Sequence, residues 1–269
     1  MTKKTQFGAL EQSADRSKNA FRVIQPFPPG SSTATPLNVA YRLGKICKLG
    51  LLRGRWLDFG CADGAYATAM VELGVDSAVG VDVLPDRIIE AQKKCQSFVK
   101  VQFLHTSTEA LPFADDFFDG VFMNEVLEHV TNEVNTLREL RRVIRPSGHL
   151  VIMSPNRWFP FEGHGAHLGK LQLRWPVAFL PWLPAKIGRR FMNARNYWPY
   201  ELQDLVSKEQ FSISVVDFVW PVLEVYRWLP ESLIRLYQKA IPKLEKIPAI
   251  RRFGVSVFLV AQKREKSTA

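Results

Sequence analysis

Short apolar runs alternate with helix-forming segments along this chain, and this alternation limits the possible folds more than any other feature. Seven runs have the length and the Val, Ile and Phe content of strands. They are residues 56–59, 77–83, 99–105, 117–124, 149–154, 211–219 and 254–263. The first five follow one another at the spacing of strand–helix–strand crossovers, which favours an α/β fold with a parallel, doubly wound sheet.

Helix signals fall between these strands. Thr35 and Pro36 suit the cap and the first turn of a helix, and Thr131 is the expected cap of another. The other expected helices begin near Ala65, Pro85 and Pro199, and they are residues 65–73, 85–95 and 199–208.

The regular alternation stops twice, which predicts the domain organisation. Residues 1–34 are polar and predict a flexible arm, and residues 35–269 are expected to form a single domain with its core at 54–154. Residues 155–198 and 220–253 are rich in Pro, aromatic and basic residues. Because both are too long for simple connections, we interpret them as insertions over the sheet edge.

Composition favours a cytoplasmic protein. Of the 269 residues, 46% are hydrophobic and 23% are charged, which is ordinary for a globular domain. The three cysteines are scattered without CxxC spacing, which predicts neither a disulfide framework nor a zinc site. The first residues lack the apolar core of a signal peptide, and no run of about 18 apolar residues predicts a spanning helix.

The net charge of +10 is unevenly distributed. Residues 1–154 contain 18 Lys and Arg against 17 Asp and Glu, whereas residues 155–269 contain 18 against 9. This excess indicates an anionic substrate, a membrane surface or nucleic acid as a partner, and a solvated basic surface is the alternative.

The stretch RWLDFGCADGAYA at 55–67 predicts a ligand site. Ligands of open α/β sheets bind beyond the carboxyl ends of the strands, and the first strand ends at Asp58. Gly60 permits a tight turn with close approach of the backbone to a ligand. Asp82 ends the next strand, where a carboxylate can accept hydrogen bonds from both ribose hydroxyls of a nucleoside.

The glycine spacing distinguishes between two candidate ligands, NAD and S-adenosylmethionine. The NAD fingerprint GxGxxG is absent, because Gly60 and Gly64 flank Ala62 with three residues between the glycines. Asp58 and Asp63 place negative charge where a pyrophosphate would lie. Acids suit a ligand with an amino group and a sulfonium, so the loop favours S-adenosylmethionine over a dinucleotide.

Four motifs in order carry a family resemblance. They are DFGCADG at 58–64, VGVDVLPD at 79–86, TEALPFADDFFDGVFMNEVLEHV at 108–130 and LRELRRVIRPSGHLVIMSPN at 137–156. Residues 54–154 thereby resemble the class I S-adenosylmethionine-dependent methyltransferases, in particular the ubiquinone and menaquinone biosynthesis methyltransferases with a type 11 domain. The resemblance implies a Rossmann-like, seven-stranded, mostly parallel sheet with an antiparallel last strand, covered by lid insertions, and S-adenosyl-L-methionine as cofactor.

The resemblance also implies residue roles. The implied cofactor-binding positions are Asp58, Gly60, Cys61, Ala62, Gly64, Asp82, Val83, Ser107, Thr108 and Asn124. The first two and Asn124 would face the methionine end, Asp82 the ribose, and Val83 with Leu84 the adenine.

Two positions depart from the family pattern. Ala62 replaces the middle glycine of the loop, which is tolerable if its φ is negative. Ser107 stands where the family has an Asp that reads the adenine amino group, and Thr108 and Glu109 could compensate.

The candidate catalytic residues lie in the first insertion. Methyl transfer requires alignment of donor and acceptor, and a hydroxyl acceptor benefits from a base. The stretch NRWFPFEGHGAHLGK at 156–170 offers His164 or His167 as this base. The alternative is a hydrogen-bonded lid loop. No metal site is predicted, because the two histidines lack a clear third ligand. Within LEHV at 127–130, a structural role for Glu128 and His129 is favoured over catalysis by His129.

Six of the seven tryptophans fall in or beside the insertions, at positions 158, 175, 182, 198, 220 and 228. Tryptophan with Lys and Arg is typical of a ring-stacking substrate pocket or of a membrane interface. Residues 230–246 have apolar positions at helical spacing with basic residues between them. This segment is interpreted either as an element on the inner face of a membrane or as a lid helix packed on the core.

The expected function is therefore methylation of a small-molecule, lipid-like or glycan-derived acceptor, at oxygen. The alternatives are C-methylation of a quinone-type ring, and a nucleic-acid-directed or non-catalytic S-adenosylmethionine-binding protein. Nucleic acid is not the expected partner, since residues 124–127 read Asn-Glu-Val-Leu and not the Asn/Asp-Pro-Pro-Tyr/Phe signature of nitrogen methylation.

Overall fold

The sheet and helices are described in a computed structural model, which covers residues 34–107, 110–169, 171–173, 177–188, 190–223 and 229–265. The strands are β1 (Arg55–Phe59), β2 (Ser77–Asp82), β3 (Val101–His105), β4 (Phe118–Asn124), β5 (Ile144–Pro155), β6 (Phe161–Glu162), β7 (Ala166–Leu168), β8 (Leu171–Leu173), β9 (Val177–Ala178), β10 (Phe211–Val219) and β11 (Ser256–Lys263). The helices are α1 (Pro36–Cys47), α2 (Ala65–Glu72), α3 (Pro85–Lys94), α4 (Glu133–Val143), α5 (Ala185–Gly188), α6 (Pro199–Lys208), α7 (Glu231–Leu244) and α8 (Pro248–Arg251).

Seven of the strands form one sheet in the order β10-β11-β5-β4-β1-β2-β3. β1 is parallel to both β2 and β4, and β5 is parallel to β4. Within this sheet β11 runs opposite to the other strands, antiparallel to both β5 and β10. The predicted doubly wound sheet with an antiparallel last strand is therefore confirmed. The strand order reverses between β4 and β1, which is where ligands bind in such sheets.

Alternating side chains of the central strands build a core on each face of the sheet. In β1, Leu57 and Phe59 join the cluster covered by α4 and α6, whereas Trp56 joins the cluster covered by α1 and α2. All three are almost completely buried. This period of two, with apolar residues on both faces, is what a parallel strand between two helical layers requires.

The helix boundaries agree with the capping signals except at α4. Thr35 caps α1, since its Oγ1 accepts a hydrogen bond from Asn38 N at 3.4 Å. Thr131 was the expected cap of α4, but Asn132 takes this role, with its Oδ1 3.0 Å from Asn135 N. The error is one residue and arises because both side chains are favourable caps.

Both interruptions of the alternation leave the same edge of the sheet. β5 and β10 run parallel to β1 and end at Pro155 and Val219, so the chain departs from the carboxyl edge each time. After β5 the chain forms β6–β9 and α5, in which β6 pairs with β9 and β7 with β8. The expected arm at 1–34 lies outside the described residues except for its last residue. Among the described residues, no helix combines the length and apolar character needed to cross a bilayer.

Candidate active site

The loop after β1 is folded against β2 by its own backbone. The N–H groups of Gly60 and Cys61 both donate to Val81 O, at 2.8 and 2.9 Å. Gly60 has a φ of +81°, and a Cβ placed on it would lie 2.3 Å from Val126 Cγ2. A side chain cannot fit there, so the glycine allows the loop to pass directly beside the segment that follows β4.

Asp82 holds the same loop. Its Oδ2 accepts a hydrogen bond from Ala62 N at 3.0 Å, and its Oδ1 accepts one from Leu84 N at 2.9 Å. The negative φ under which the methyl group of Ala62 would be tolerated is not observed, because the φ of Ala62 is +47°. A left-handed conformation costs an L-residue about 1–2 kcal/mol, and the hydrogen bond to Asp82 offsets part of this cost.

Asp58 is a buried carboxyl group that could bind a positively charged ligand. Its residue is 2% exposed, and its Oδ2 atom has no hydrogen-bond partner among the described residues. Burial, with the nearby charges of Asp82 and Asp63, raises its pKa to about 8, although a hydrogen bond from Ala67 N opposes the rise. An unpartnered buried carboxyl oxygen is costly unless a donor reaches it, and a bound ammonium group would supply one.

Asp63 does not have the role inferred from the loop sequence. Its Oδ2 lies 2.6 Å from Lys94 Nζ, so α3 neutralises this carboxylate. Asp58 is therefore the acid of the loop that remains available to a cationic ligand.

The other implied cofactor positions surround this loop. Asn124 ends β4 beside the loop, and its Oδ1 accepts a hydrogen bond from Arg42 Nη1 at 2.7 Å. The side chain of Cys61 is buried in the cluster between α2 and α3, so only its backbone is available to a ligand. Val83 and Ser107 are half-buried beyond β2 and β3, and Thr108 lies outside the described residues.

A second group of polar side chains lies next to the cofactor loop. Glu128 and His129 form a short 3-10 turn after β4, and His164 comes from the first insertion. Glu128 Oε1 lies 3.7 Å from His164 Nε2 and 3.9 Å from His129 Nε2. One ligand atom from each of the three residues lies within 4.8 Å of the others, a spacing that could hold a metal ion. We call these three residues the Glu-His cluster.

Glu125 borders the Glu-His cluster from the carboxyl end of β4. Its Oε2 lies 4.0 Å from His164 Nε2, and its Oε1 lies 2.9 Å from Arg42 Nη1. Ser256 donates a further hydrogen bond to the same carboxylate. Glu125 has a φ of +55°, a conformation that a bulky residue adopts only when its surroundings fix it.

The pKa values of these groups indicate which protons a bound cation would have to replace. Although burial raises the pKa of Glu125, Arg42 and His164 lower it below its usual value. Burial and the charge of Glu125 raise the pKa of Glu128 well above its usual value. Burial, together with His164, lowers the pKa of His129 to about 4, so its imidazole is neutral at pH 7. A neutral imidazole and buried carboxyl groups are suitable metal ligands, and the cation would displace the proton of Glu128.

His164 reaches the Glu-His cluster and His167 does not. Although burial lowers the pKa of His164, the carboxylates of Glu162 and Glu125 raise it above the usual value. His167 lies in β7, with its Nδ1 3.1 Å from Asn193 Oδ1, and so holds the insertion together. The geometry therefore supports only one of the two candidate bases.

Sequence patterns missed Arg42. This arginine of α1 is 6% exposed, and it donates to Asn38, Asn124, Glu125 and Ser256. A lone arginine on a helical apolar face was the only signal for it. Its contacts with the end of β4 and the start of β11 became visible only once α1 was placed over the sheet.

The tryptophans of the insertions also separate into two groups. Trp158 packs edge-on against Trp198 at 5.0 Å, with Arg157 and Arg252 over the rings. These rings form an internal contact and not an exposed boundary. Trp182 is 43% exposed, whereas Trp175 and Trp228 lie outside the described residues.

Comparisons with known proteins show what this chain is similar to. Residues 57–152 match a protein family described as methyltransferase domain. The ubiquinone biosynthesis O-methyltransferase of Cereibacter sphaeroides is 34% identical over 104 residues, which cover 38% of this chain and 42% of that protein. The chain thus spans about two fifths of the length of the curated relatives it matches.

Solved structures share the fold. An S-adenosylmethionine-dependent methyltransferase from Mesorhizobium loti has a TM-score of 0.57 at 14% identity, with 84% of this chain and 98% of that chain covered. The [4+2]-cyclase SpnF has a TM-score of 0.56 at 16% identity, with 98% and 93% covered. Residues 57–152 are therefore similar to a methyltransferase domain, and the chain shares the fold of S-adenosylmethionine-dependent methyltransferases. The similarity to a cyclase illustrates that this fold alone does not define a reaction.

Proposed function

We propose that this protein is an S-adenosylmethionine-dependent enzyme that methylates a hydroxyl oxygen of a small-molecule acceptor. One observation carries the proposal: the cofactor loop and the Glu-His cluster meet at the carboxyl edge of the sheet. They adjoin where Gly60 passes against Val126, which stands between Glu125 and the 3-10 turn that carries Glu128. The groups that fit a methyl donor thus lie beside the groups that could prepare an acceptor.

The loop geometry supports S-adenosylmethionine as the donor. The unpartnered Oδ2 of Asp58 suits the methionine ammonium group, and Asp82 ends β2 where it can receive the ribose hydroxyls. Because both Asp82 oxygens also fix the loop backbone, ribose binding and loop conformation are coupled.

The Glu-His cluster supports oxygen as the methylated atom. A hydroxyl is a weak nucleophile, and a divalent cation at the cluster would lower the pKa of the acceptor hydroxyl. Glu128, His129 and His164 would hold this cation, with Glu125 beside them. Carboxylate and imidazole ligands suit Mn²⁺, Mg²⁺ or Zn²⁺. This interpretation replaces the expectation of no metal site with a testable assignment.

Methyl transfer to a panel of hydroxylated aromatic, lipid-like and glycan acceptors tests the proposal. Labelled S-adenosylmethionine should give methyl ethers, with turnover lost on chelation and restored by Mn²⁺ or Mg²⁺. His164→Asn should abolish the activity that Mn²⁺ or Mg²⁺ supports, whereas His167→Asn, the matched change in the same insertion, should retain most of the activity. A product methylated at carbon, or labelling of RNA alone, would refute O-methylation of a small molecule. Activity that survives chelation would refute the metal assignment.

We further propose that the protein works at the inner face of a membrane on a lipid-linked acceptor. The support is an exposed apolar patch on the first insertion, formed by Phe161, Phe179, Trp182, Leu183 and Ile187. Phe179 is 60% exposed and has a φ of +61°, and its ring lies 5.2 Å from that of Trp182. Exposed aromatic residues near Lys186 and Arg190 suit an anionic lipid surface.

This patch is not the segment that the sequence indicated for membrane contact, which is residues 230–246. The C-terminal end of α7 is linked to α1, since Tyr41 Oη donates to Oε1 of Glu245, the residue that follows the helix, at 2.6 Å and Lys45 Nζ lies 2.9 Å from the same oxygen. These contacts support the lid-helix interpretation of residues 230–246. Leu236 on its outer face is nevertheless 66% exposed.

Flotation with anionic vesicles distinguishes membrane contact through the patch on the first insertion from membrane contact through α7. Phe179→Ser/Trp182→Ser should remove most of the bound protein, whereas Leu236→Ser should change it little. The opposite pattern would place membrane contact on α7. No flotation of the unaltered protein at low salt would refute membrane contact altogether.

A further inference from the structure

Glu162 is a buried carboxylate in the first insertion that the proposed reaction leaves without a role. Its side chain has no exposed surface, and it lies in β6, two residues before His164. An isolated buried carboxylate is strongly unfavourable unless it is paired and hydrogen-bonded. Its partners therefore indicate why the fold retains it.

The contacts of Glu162 converge on His164. Oε1 accepts a hydrogen bond from the backbone N–H of His164 at 2.8 Å, and the same oxygen lies 3.5 Å from His164 Nδ1. Oε2 accepts a hydrogen bond from Asn196 Nδ2 at 2.5 Å. Asn196 lies at the end of the insertion, 34 residues from Glu162, so this hydrogen bond restrains the carboxylate from the side opposite the imidazole.

We infer that Glu162 is a positioning residue that holds His164 with its proton on Nδ1 and its Nε2 lone pair directed at Glu128. The Nε2 atom already lies 3.7 Å from Glu128 Oε1 and 4.0 Å from Glu125 Oε2. A carboxylate that accepts a hydrogen bond from the ring nitrogen not bound to the metal fixes both the tautomer and the ring orientation of a ligand histidine. This inference rests on the proposed function only for its consequence, which is binding of a cation at the Glu-His cluster.

The contact of Glu162 with Nδ1 of His164 matters because few other groups of the insertion restrain this imidazole. Asn193 Nδ2 donates to the backbone O of His164 at 3.2 Å, which fixes the main chain and not the ring. The ring of His129 lies edge-on at 5.4 Å and constrains one face. Neither contact selects a tautomer. Among the carboxyl groups around the ring, Glu162 is the nearest, at 3.5 Å from Nδ1, whereas Glu128 and Glu125 lie 3.7 and 4.0 Å from Nε2, so Glu162 favours the proton on Nδ1.

Nitrogen-15 NMR of histidine-labelled, metal-free protein tests the inference without any activity measurement. At a pH where the imidazole is neutral, His164 should show the tautomer protonated at Nδ1. Glu162→Gln should convert this signal to the other tautomer or to a mixture, because the amide cannot serve both His164 and Asn196 as an acceptor. His164 protonated at Nε2 in the unaltered protein, or an unchanged signal in Glu162→Gln, would overturn it.

Mn²⁺ binding, followed by electron paramagnetic resonance, tests the consequence. Glu162→Gln should weaken Mn²⁺ affinity about 10–100-fold, as losses of such supporting carboxylates do elsewhere. Glu133→Gln is the matched control, because Glu133 accepts from Tyr197 Oη at 2.6 Å and anchors the same part of the chain without touching His164. It should leave Mn²⁺ affinity unchanged.

Equal losses in both variants would assign Glu162 a merely structural role and so overturn the inference. Absence of Mn²⁺ binding in the unaltered protein would refute the metal assignment, and the tautomer measurement would still decide the role of Glu162.

Discussion

Binding of the cofactor should release a proton from Asp58. In the unliganded protein this carboxyl is buried and its pKa is raised to about 8. A group with that pKa is about 90% neutral at pH 7. The methionine ammonium group would favour the ionised form, so each bound molecule should release about 0.9 proton at pH 7 if the carboxylate ionises completely.

The coupling between ligand binding and ionisation of Asp58 also determines how the affinity depends on pH. Only the ionised carboxyl pairs with the ammonium group, and its fraction rises about ninefold between pH 6 and pH 7 for a pKa near 8. Affinity should therefore rise by about that factor over this interval and level off above pH 8. In the unliganded protein the sign is opposite for folding. The native state keeps the proton and the unfolded state loses it, so stability falls as the pH rises from about 4 towards 8.

Calorimetry with S-adenosylhomocysteine, which has the same amino end, measures these quantities. Titrations of metal-free protein in buffers of different ionisation enthalpy give the number of protons released. Asp58→Asn is nearly isosteric and cannot ionise, so it should abolish most of the release and flatten the affinity profile between pH 6 and pH 7. Equal proton release in the variant and the unaltered protein would refute the contact between Asp58 and the ammonium group. Release near zero in both would refute a neutral Asp58.

Three further perturbations test other parts of the structure. Gly60→Ala should weaken S-adenosylhomocysteine binding at least about tenfold, since its Cβ would lie 2.3 Å from Val126 Cγ2 at a φ of +81°. Adding Val126→Ala should restore part of the affinity in calorimetry, and no restoration would show that the clash is not the cause. Asp82→Ala should weaken binding by about 10–100-fold, because hydrogen bonds to a charged group contribute about 1.5–3 kcal/mol; an unchanged dissociation constant would remove Asp82 from the site. Phe211→Ala should lower the free energy of unfolding by about 3–5 kcal/mol in urea, because this ring is fully buried, and a loss below about 1 kcal/mol would contradict the described core.

Most of the fold could be read from local patterns. The helix at 199–208 and the strand at 211–219 have the bounds expected from the sequence. Pro199 fixes the first turn of this helix, and alternating apolar residues define the strand. The number of strands agrees because each strand carries its own start and stop signals, and the mostly parallel arrangement with an antiparallel last strand agrees with what the family resemblance implied. Boundary errors occur where two residues compete for one role, as Thr131 and Asn132 do at α4.

The cofactor loop was only partly predictable. The positions of Asp58, Gly60 and Asp82 at strand ends follow from chain order, since parallel strands deliver their carboxyl ends to one edge. The partners of the acids do not follow from chain order. Lys94 lies 31 residues from Asp63, and nothing in the loop sequence distinguishes the neutralised acid from the unpartnered one. The positive φ of Ala62 likewise depends on its tertiary hydrogen bond to Asp82.

The Glu-His cluster shows why the proposed reaction site could be predicted only in part from the sequence. Glu128 and His129 belong to the core and His164 to the insertion, and each alone has an ordinary structural explanation. Their ligand atoms converge only because β4 and β5 are parallel neighbours, so that the turn after β4 and the chain leaving β5 meet at one edge. The methyl-donor site thus depends on the core alone, whereas the cluster depends on how the insertion docks. If this division is correct, changes at Glu162 should reduce metal binding and methyl transfer while affinity for S-adenosylhomocysteine remains unchanged.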